Sequence, residues 1–484
     1  MIRQWTTPSG AAVLAGLAWL RFATAIAVPS TPPSGSVTVD PSLISISIEF
    51  FAFPGYTNIS GTNNCLNNLA DLRGATPAIR IGGTTQDRAT YDPNLQSAVN
   101  YTVADPADAP ASLTYGPSFF TLAGKLPVDD VTIGLNRQLN HESNSLAAGT
   151  LALSEMTNFF AVELGNEPDL YSSSSPIAAN TGWSNSIDIS NEGKWFTDMA
   201  PTLGNVFQGA VYLSWSTATL VSRIGSAALS TIKSISRHSY PQSACNGAST
   251  NLTQLMRHPG IVSYVNQFKT DANSSRSAGK HFFFGETNSA TCGGGGISPT
   301  FGAALWIVDY ALQSALIGVE RLYFHHGTIG NCAYCWWGKQ AVYSPYFGAI
   351  FVSDFLGADG ATLAQLDDST SDIAAYAVYS ASGAPLRVLL SNSAYFAGTG
   401  ARANATVALT TSGLPRTSAR AKRMTAPDAT ARADLGAPVT IGGNGTFSAD
   451  CVAQGTQQME EVAVGDDGSL TVSLLASEAV IVYL

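Results

Sequence analysis

The chain has 484 residues, with 24 Lys and Arg against 34 Asp and Glu, for a formal net charge of −10. Its 45% hydrophobic and 12% charged content is the reverse of a disordered composition, and its acidic balance is wrong for a nucleic-acid partner. The length suggests two or three domains, unless a single barrel takes most of it.

In chain order, the first thirty residues read as targeting rather than fold. Arg3 precedes a small and apolar run at 11–20, and small residues suited to cleavage follow near Ala25 or Ala27, the layout of a secretory signal. Arg21 interrupts the apolar run well short of the roughly 20 residues of a membrane span. A signal over 1–27, secretion and no membrane attachment are expected, then a linker and strand over 28–43. Sequons at Asn58, Asn100, Asn251, Asn273, Asn404 and Asn444 fit N-glycosylation of a secreted chain. The cysteines at 65, 245, 292, 332, 335 and 451 are even in number, which in an oxidising compartment predicts disulfides with the pairing open.

From 44 to about 353, strand-like and helix-like segments alternate. Strands are expected at 44–50, 78–81, 131–135, 160–164, 207–213, 232–235, 281–284 and 321–324, with helical spacing at 151–160 and, most clearly, at 302–320. Eight strands with helices or long excursions between them is the count of a (β/α)₈ barrel. Beyond 354 the texture changes to short strands at 374–379, 386–391, 406–409, 418–425, 439–442, 471–475 and 479–484, separated by Gly, Pro, Asn and Asp. These predict an antiparallel β-sandwich over 354–484, to which 37–40 returns. The expected fold class is therefore α/β, a barrel over 44–353 with a C-terminal sandwich.

Barrel chemistry sits at the C-terminal ends of the strands. Two glutamates stand there: Glu167, in Val162-Glu-Leu-Gly-Asn-Glu-Pro168, and Glu286, which ends the run His281-Phe-Phe-Phe-Gly-Glu286. Two facing carboxyls can cleave a glycosidic bond. One protonates the departing oxygen, and the other meets the positive charge that develops at the anomeric carbon. A separation of about 5–5.5 Å gives retention through a covalent intermediate; about 6.5–9.5 Å gives inversion.

The segments Val162-Glu-Leu-Gly-Asn-Glu-Pro-Asp169, Phe284-Gly-Glu-Thr-Asn288, Leu72-Arg-Gly-Ala-Thr-Pro-Ala-Ile-Arg-Ile-Gly-Gly83 and Ser234-Ile-Ser-Arg-His-Ser-Tyr-Pro241 resemble glycoside hydrolase family 79. The likeness covers roughly residues 35–484 and is greatest to secreted fungal β-glucuronidases, with heparanase a more distant member. The resemblance implies Glu167 as acid/base and Glu286 as nucleophile, Asn166 as a contact to the sugar 2-hydroxyl, and Tyr240 as a donor to the nucleophile. It also implies that tyrosine hydroxyls and backbone N–H groups hold the glucuronate carboxylate, for which Tyr334, Gly293 and Gly294 are the matching residues.

Other rim residues are expected to assist. Glu49 would accept from sugar hydroxyls, Arg80 would point into the barrel and steady Glu49 or Glu286, and His326 would reach the pocket. His325 and His238 read equally well as core histidines. Trp336-Trp337 reads as a sugar-stacking wall or as packing between the domains. The resulting expectation is a secreted, monomeric, retaining exo-β-glucuronidase that takes terminal glucuronic acid, or its 4-O-methyl form, from glycans such as arabinogalactan, with no metal or organic cofactor. An endo-acting enzyme on heparan-type or hyaluronan-type chains would want basic patches, and the net charge argues against it. Another retaining β-glycosidase of the clan would lack a carboxylate pocket, and a non-enzymatic carbohydrate-binding protein would not need both glutamates.

Overall fold

The computed structural model describes residues 24–179, 182–410, 418–465 and 468–484. Eight parallel strands close into a barrel: β1 (Ile44–Glu49), β2 (Ile79–Gly82), β3 (Val131–Leu135), β4 (Phe159–Leu164), β5 (Phe207–Tyr212), β6 (Ile232–Ser239), β7 (His281–Thr287) and β8 (Arg321–His326). Each pairs with its successor, and β8 closes on β1 with His325 opposite Ser47.

The alternation in β1 assigns its faces. Ile44, Ile46 and Ile48 join the main apolar core, whereas Ser47 lies inside, within reach of the Arg80 guanidinium. The interior is small and polar towards the top of the barrel. Its lower end is plugged by Ala78, Phe160, Ala161, Phe283 and Tyr323, a separate apolar cluster with Arg321 over two of its rings. A Cβ at Gly285 would lie 2.0 Å from Ser236 Oγ and one at Gly134 2.1 Å from Gln86 Oε1, so only glycine lets these polar side chains cross the barrel.

Strands β6 and β7 run further than the apolar runs at 232–235 and 281–284. The extensions hold Ser236, His238, Gly285 and Glu286, polar or small residues that keep the ladder because they face a polar interior. The helical spacing at 151–160 spans a boundary: the helix is Glu142–Glu155, Met156 turns extended, and β4 begins at Phe159. Helix Phe301–Ile317 shows one apolar stripe in sequence but is buried on nearly all sides. It packs against helix Ser344–Leu356, helix His258–Asn266 and the sandwich strand Thr362–Gln365.

The sandwich has a long antiparallel sheet in the order Val37–Thr38, Thr362–Gln365, Ile373–Tyr379, Pro385–Asn392, Glu478–Tyr483, Ala419–Thr425 and Thr440–Ile441. A second sheet of Thr24–Ala27, Asn404–Thr410 and Ser469–Leu475 covers it. The residues between the two sheets include Val388, Leu390, Val407, Leu409, Val472, Leu474, Val480 and Val482. The opposite face of the long sheet, with Tyr376, Leu389 and Ile481, merges with the barrel core. Most of the expected signal over 1–27 lies outside the described residues, but Thr24–Ala27 is an edge strand parallel to Asn404–Thr410, with Ile26 buried. A cut after Ala27 would remove that strand.

The cysteines pair as Cys65–Cys451, Cys245–Cys292 and Cys332–Cys335. The first joins barrel helix Thr62–Arg73 to the sandwich side; the other two lie in loops after β6, β7 and β8. No helix among the described residues is long and apolar enough to cross a membrane.

Candidate active site

Glu286 rises from inside β7, while Glu167 stands in the turn just after β4. The turn is strained: Glu167 has a left-handed backbone at φ 48°, as do Ala210 and Val211 beside it at φ 74° and 58°. Hydrogen bonds hold it there. Glu167 N–H donates to Val211 O at 3.1 Å, and Ala210 N–H to the buried Glu192 at 2.9 Å. Asn166 N–H and Tyr171 OH donate to Asp87, at 2.7 and 2.5 Å. A carboxylate oxygen of Glu167, one of Glu286 and a ring nitrogen of His238 all lie within 4.8 Å of one another.

The two carboxyls have opposite surroundings. Burial pushes the Glu167 carboxyl above its ordinary range and the charge on Glu286 adds to that, while the His238 Nδ1 contact at 3.0 Å works against it. Burial also opposes ionisation of Glu286, but it is outweighed by His325, His238, Arg80 and a hydrogen bond from Tyr240. The Glu286 carboxyl is therefore held well below the carboxylate range. Tyr240 OH donates to Oε1 at 2.7 Å and Arg80 Nη1 to Oε2 at 2.5 Å. These surroundings favour the proton on Glu167 and the charge on Glu286. Such a pair can donate a proton to one side of a bond while presenting an anion to the other.

Arg80 points into the barrel, but its principal partner is one that sequence reasoning missed. Glu163, fully buried in β4, takes Nε at 3.1 and 3.2 Å and Nη2 at 2.5 Å, and Gln208 completes its shell at 2.8 Å. Arg80 also donates to Ser47 and, at 2.8 Å, to Asn166 Oδ1. It touches Glu286 but not Glu49. The Asn166 amide is thereby oriented with its oxygen on the guanidinium. Glu49 accepts from Thr85 N–H and Oγ at 2.9 and 2.5 Å on one oxygen, and its other oxygen is 3.4 Å from His325 Nε2.

The histidines need correction. His326 does not reach the pocket: it is fully buried, accepts from Trp336 N–H at 3.2 Å and packs on Trp337 at 4.3 Å. Period 2 in β8 explains this, because Leu322, Phe324 and His326 face the surrounding helices while Tyr323 and His325 face inward. His325 lines the cleft with Nδ1 3.8 Å from Glu286, and His238, buried like a core histidine, bonds Glu167. Trp336 and Trp337 form no sugar wall. Both are fully buried, Trp336 on Phe324 and Trp337 donating to Thr62.

The cleft measures about 1060 Å³. Glu49, Glu167, Tyr240 and Glu286 line its floor, and Gly293, Gly294 and Tyr334 one wall; Asn166 and Arg80 lie behind the lining. The wall is stitched together by Cys245–Cys292, by Ala333 N–H to Gly293 O at 2.8 Å, and by the Cys332–Cys335 bridge around Tyr334. Among the described residues, no Lys or Arg lines the cleft. Glu167, His238 and Glu286 have the spacing of a metal-ligand set, but both Glu286 oxygens already accept strong donors, which suits a free carboxylate.

Comparison with known proteins agrees with this geometry. Residues 375–481 match the glycosyl hydrolase family 79 C-terminal beta domain. A 4-O-α-L-rhamnosyl-β-D-glucuronidase from Fusarium oxysporum, solved as a complex with Rha-GlcA, is 46% identical with a TM-score of 0.91, covering 95% of this chain and 100% of that one. A β-glucuronidase from Aspergillus niger is 31% identical over 396 residues, 72% of this chain and 71% of its own length. One from Neurospora crassa is 31% identical over 433 residues, 76% and 75% of the two chains. A family 51 α-L-arabinofuranosidase from Bifidobacterium longum, at 12% identity and a TM-score of 0.63 over 95% and 99%, shares the fold alone. The barrel, the facing carboxyls, the sandwich and these relatives together establish that the chain belongs to glycosyl hydrolase family 79, the family of the fungal β-glucuronidases.

Proposed function

We propose that the chain is a secreted exo-β-glucuronidase that retains anomeric configuration, with Glu167 as acid/base and Glu286 as nucleophile. The observation that carries this is the approach of the two carboxyls to within 4.8 Å, the short spacing of double displacement rather than the wider one that admits a water. In the first step Glu167 gives its proton to the glycosidic oxygen as a Glu286 oxygen bonds to the anomeric carbon and the alcohol leaves. In the second, Glu167, now a carboxylate, takes a proton from water; the hydroxide attacks the same carbon and the ester to Glu286 breaks. Tyr240 and Arg80 fix the attacking carboxylate. Asn166, turned by Arg80, is the donor proposed for the sugar 2-hydroxyl.

The glucuronate carboxylate is assigned to Tyr334 and the backbone at Gly293, with Gly294 holding the turn: φ is 77° and 85° at the two glycines and the Gly294 N–H donates to Thr291 O at 3.2 Å. Glu49 is assigned to the sugar hydroxyls. A cleft of about 1060 Å³ is at the upper limit of the about 300–1,000 Å³ of small-molecule sites. It leaves room beyond a single ring, so the substrate class extends to glucuronate substituted at O4, as in the Rha-GlcA bound by the Fusarium protein. An endo-acting reading gains nothing from the modest basic cluster Arg416, Arg420, Lys422 and Arg423 of the sandwich, whose described members do not line the cleft. Lys422 pairs with Asp354, Arg423 with Glu460 and Glu478, and Arg416 lies outside the described residues. Secretion is supported by the pairing of all six cysteines and by the exposure of the sequon asparagines, of which Asn404 alone is half-buried.

The test is to treat glucuronosyl-galactose oligosaccharides, bare, 4-O-methylated and 4-O-rhamnosylated, and to follow the first-formed product by proton NMR. Release of the β-anomer of glucuronate, or of the intact substituted unit, is expected. First appearance of the α-anomer would refute double displacement, and cleavage of the bare substrate alone would refute the room at O4.

A further inference from the structure

We propose that Leu170 and Leu213 form the apolar platform on which the leaving-group sugar rests, and that Asp169 is the positioning residue that assembles it. This builds on the glycosidase reading and locates the second sugar. The direction follows from the chemistry. The proton of Glu167 must reach the glycosidic oxygen, so the departing residue lies on the face of the cleft that Glu167 occupies. That face is made by the loops after β4 and β5, across the barrel mouth from the wall of Gly293 and Tyr334 after β7 and β8.

On that face stand two leucines. Leu170, three residues past Glu167, is 60% exposed, and Leu213, half-buried just after β5, lines the cleft with it. A single exposed leucine on a surface needs no explanation. Here a clip ties together the two loops that carry Leu170 and Leu213. Asp169 accepts Leu213 N–H at 3.2 Å on one oxygen, and Ser214 N–H, Ser214 Oγ at 2.6 Å and Trp215 N–H at 3.3 Å on the other. Behind the turn, Trp183 Nε1 donates to Pro168 O at 2.7 Å and its ring packs against Tyr171. The two loops, and with them the positions of both leucines on the cleft lining, are thus held in place. A hexopyranose offers a complementary surface, since one of its faces carries C–H groups clear of hydroxyls. Burying that face against two leucines stabilises the bound leaving group and, through it, the position of the glycosidic oxygen beneath Glu167.

The experiment compares two substrates with the same glucuronosyl unit: glucuronosyl-β-1,6-galactose, which fills the platform, and β-glucuronosyl fluoride, which does not. Leu170→Ala and Leu213→Ala should each lower kcat/KM on the disaccharide by about 5- to 20-fold and leave the fluoride within about twofold of wild type. Asp169→Asn should show the same selectivity, and adding Leu170→Ala to it should cost little more on the disaccharide if Asp169 acts through the platform. Because the Asp169 charge also helps to raise the Glu167 carboxyl, the alkaline limb of this variant should move to lower pH. Full additivity would mean that Asp169 acts on Glu167 alone, and a general loss of structure would lower both substrates together. The pH profile on the disaccharide should keep its alkaline limb in the two leucine variants, which excludes an effect through Glu167. Equal losses on both substrates, or no loss on the disaccharide, would overturn the platform. Failure of the wild type to cleave either substrate would instead overturn the glucuronidase reading.

Discussion

Glu286→Gln removes one charge from the pair while nearly preserving shape, and its effect should be legible at Glu167. Two unit charges at the 4.8 Å limit of their separation repel by about 3.5 kcal/mol at an effective dielectric of about 20. Arg80 at 2.5 Å and His325 at 3.8 Å from Glu286 neutralise part of that field, so the coupling felt by Glu167 is smaller, on the order of 1–2 kcal/mol. The variant deletes this contribution. Burial, the larger cause of the raised Glu167 carboxyl, stays. The titration of Glu167 should therefore move down without returning to that of an exposed glutamate. Carbon-13 NMR of the side-chain carboxyl, assigned by its disappearance in Glu167→Gln, measures this directly. The same downward move should follow when a 2-fluoroglucuronosyl ester occupies Glu286, because esterification removes the same charge. That is the change which converts Glu167 from acid to base between the two steps. An unmoved or raised titration in both cases would show that the carboxyls do not share a field, and the division of roles would fail.

Glu286→Ala should lose turnover by orders of magnitude, and any rescue by azide should give the α-glucuronosyl azide, identified by NMR. Glu167→Ala should lose about 10²–10⁴-fold on substrates with poor leaving groups but far less on a dinitrophenyl glucuronide, with azide giving the β-product. Equal losses on the two substrates would contradict an acid role. His258, buried between Asp309 at 2.7 Å and Asp367 at 2.9 Å, tests the contact between barrel and sandwich. Burial alone would lower its pKa, but the two aspartates prevail and push it up to about 10. A folded-state pKa above the unfolded value gives stability that is complete below about pH 6.5 and disappears as pH rises through about 10. The Tm gap between wild type and His258→Asn should thus be widest in acid, reflecting about 3–5 kcal/mol for a broken buried pair, and should narrow towards pH 10. Opening Cys65–Cys451 with paired serines should lower Tm without changing KM, since the bridge ties helix Thr62–Arg73 to the sandwich side and neither cysteine lines the cleft. A raised KM would place it in the site's support.

The eight barrel strands and both glutamates were legible because their signals are local: an apolar run, then a carboxylate beside Gly or Pro. Strand ends were less legible where the interior turns polar. Residues 236–239 and 285–287 continue β6 and β7, yet a hydrophobic count stops at Ile235 and Phe284. That truncation left His238 named but off the strand, whereas it shares the inward face of β6 with Ser234 and Ser236. Glu163 was hidden differently. It sits between Val162 and Leu164, in sequence an ordinary alternation, and only the register that sets it across the barrel from Arg80 reveals a buried ion pair. Asp87, Asp169 and Glu192 act by accepting backbone N–H groups of segments far away in sequence, and no local pattern marks such a partner. Choosing between His325 and His326 needed only the phase of the alternation in β8. Tyr323 fixes that phase, because its ring fills the barrel floor.

These placements bear on why a carboxylate-bearing sugar would be held by hydroxyl and amide groups. The cations near the reaction centre are already committed: Arg80 to Glu163 and Glu286, and His325 to Glu286 and Glu49. Their joint effect is to keep the nucleophile ionised. A further Lys or Arg facing the sugar carboxylate would bind substrate more tightly, but its field would also reach Glu167 and favour the deprotonated form that cannot act as acid. On the proposed assignment, the Tyr334 hydroxyl and the Gly293 backbone would supply hydrogen bonds without a net charge. Burial holds the Tyr334 phenol protonated far above its ordinary range, helped by the nearby carboxylates Glu286 and Glu49, so it stays a donor throughout the working pH of the enzyme. That assignment separates substrate affinity from the proton inventory of the two carboxyls. Tyr334→Phe should accordingly narrow the preference for glucuronide over glucoside, read as the ratio of kcat/KM values, while leaving the alkaline limb of the pH profile where it was. A displaced limb would mean that Tyr334 acts on Glu167 rather than on the sugar.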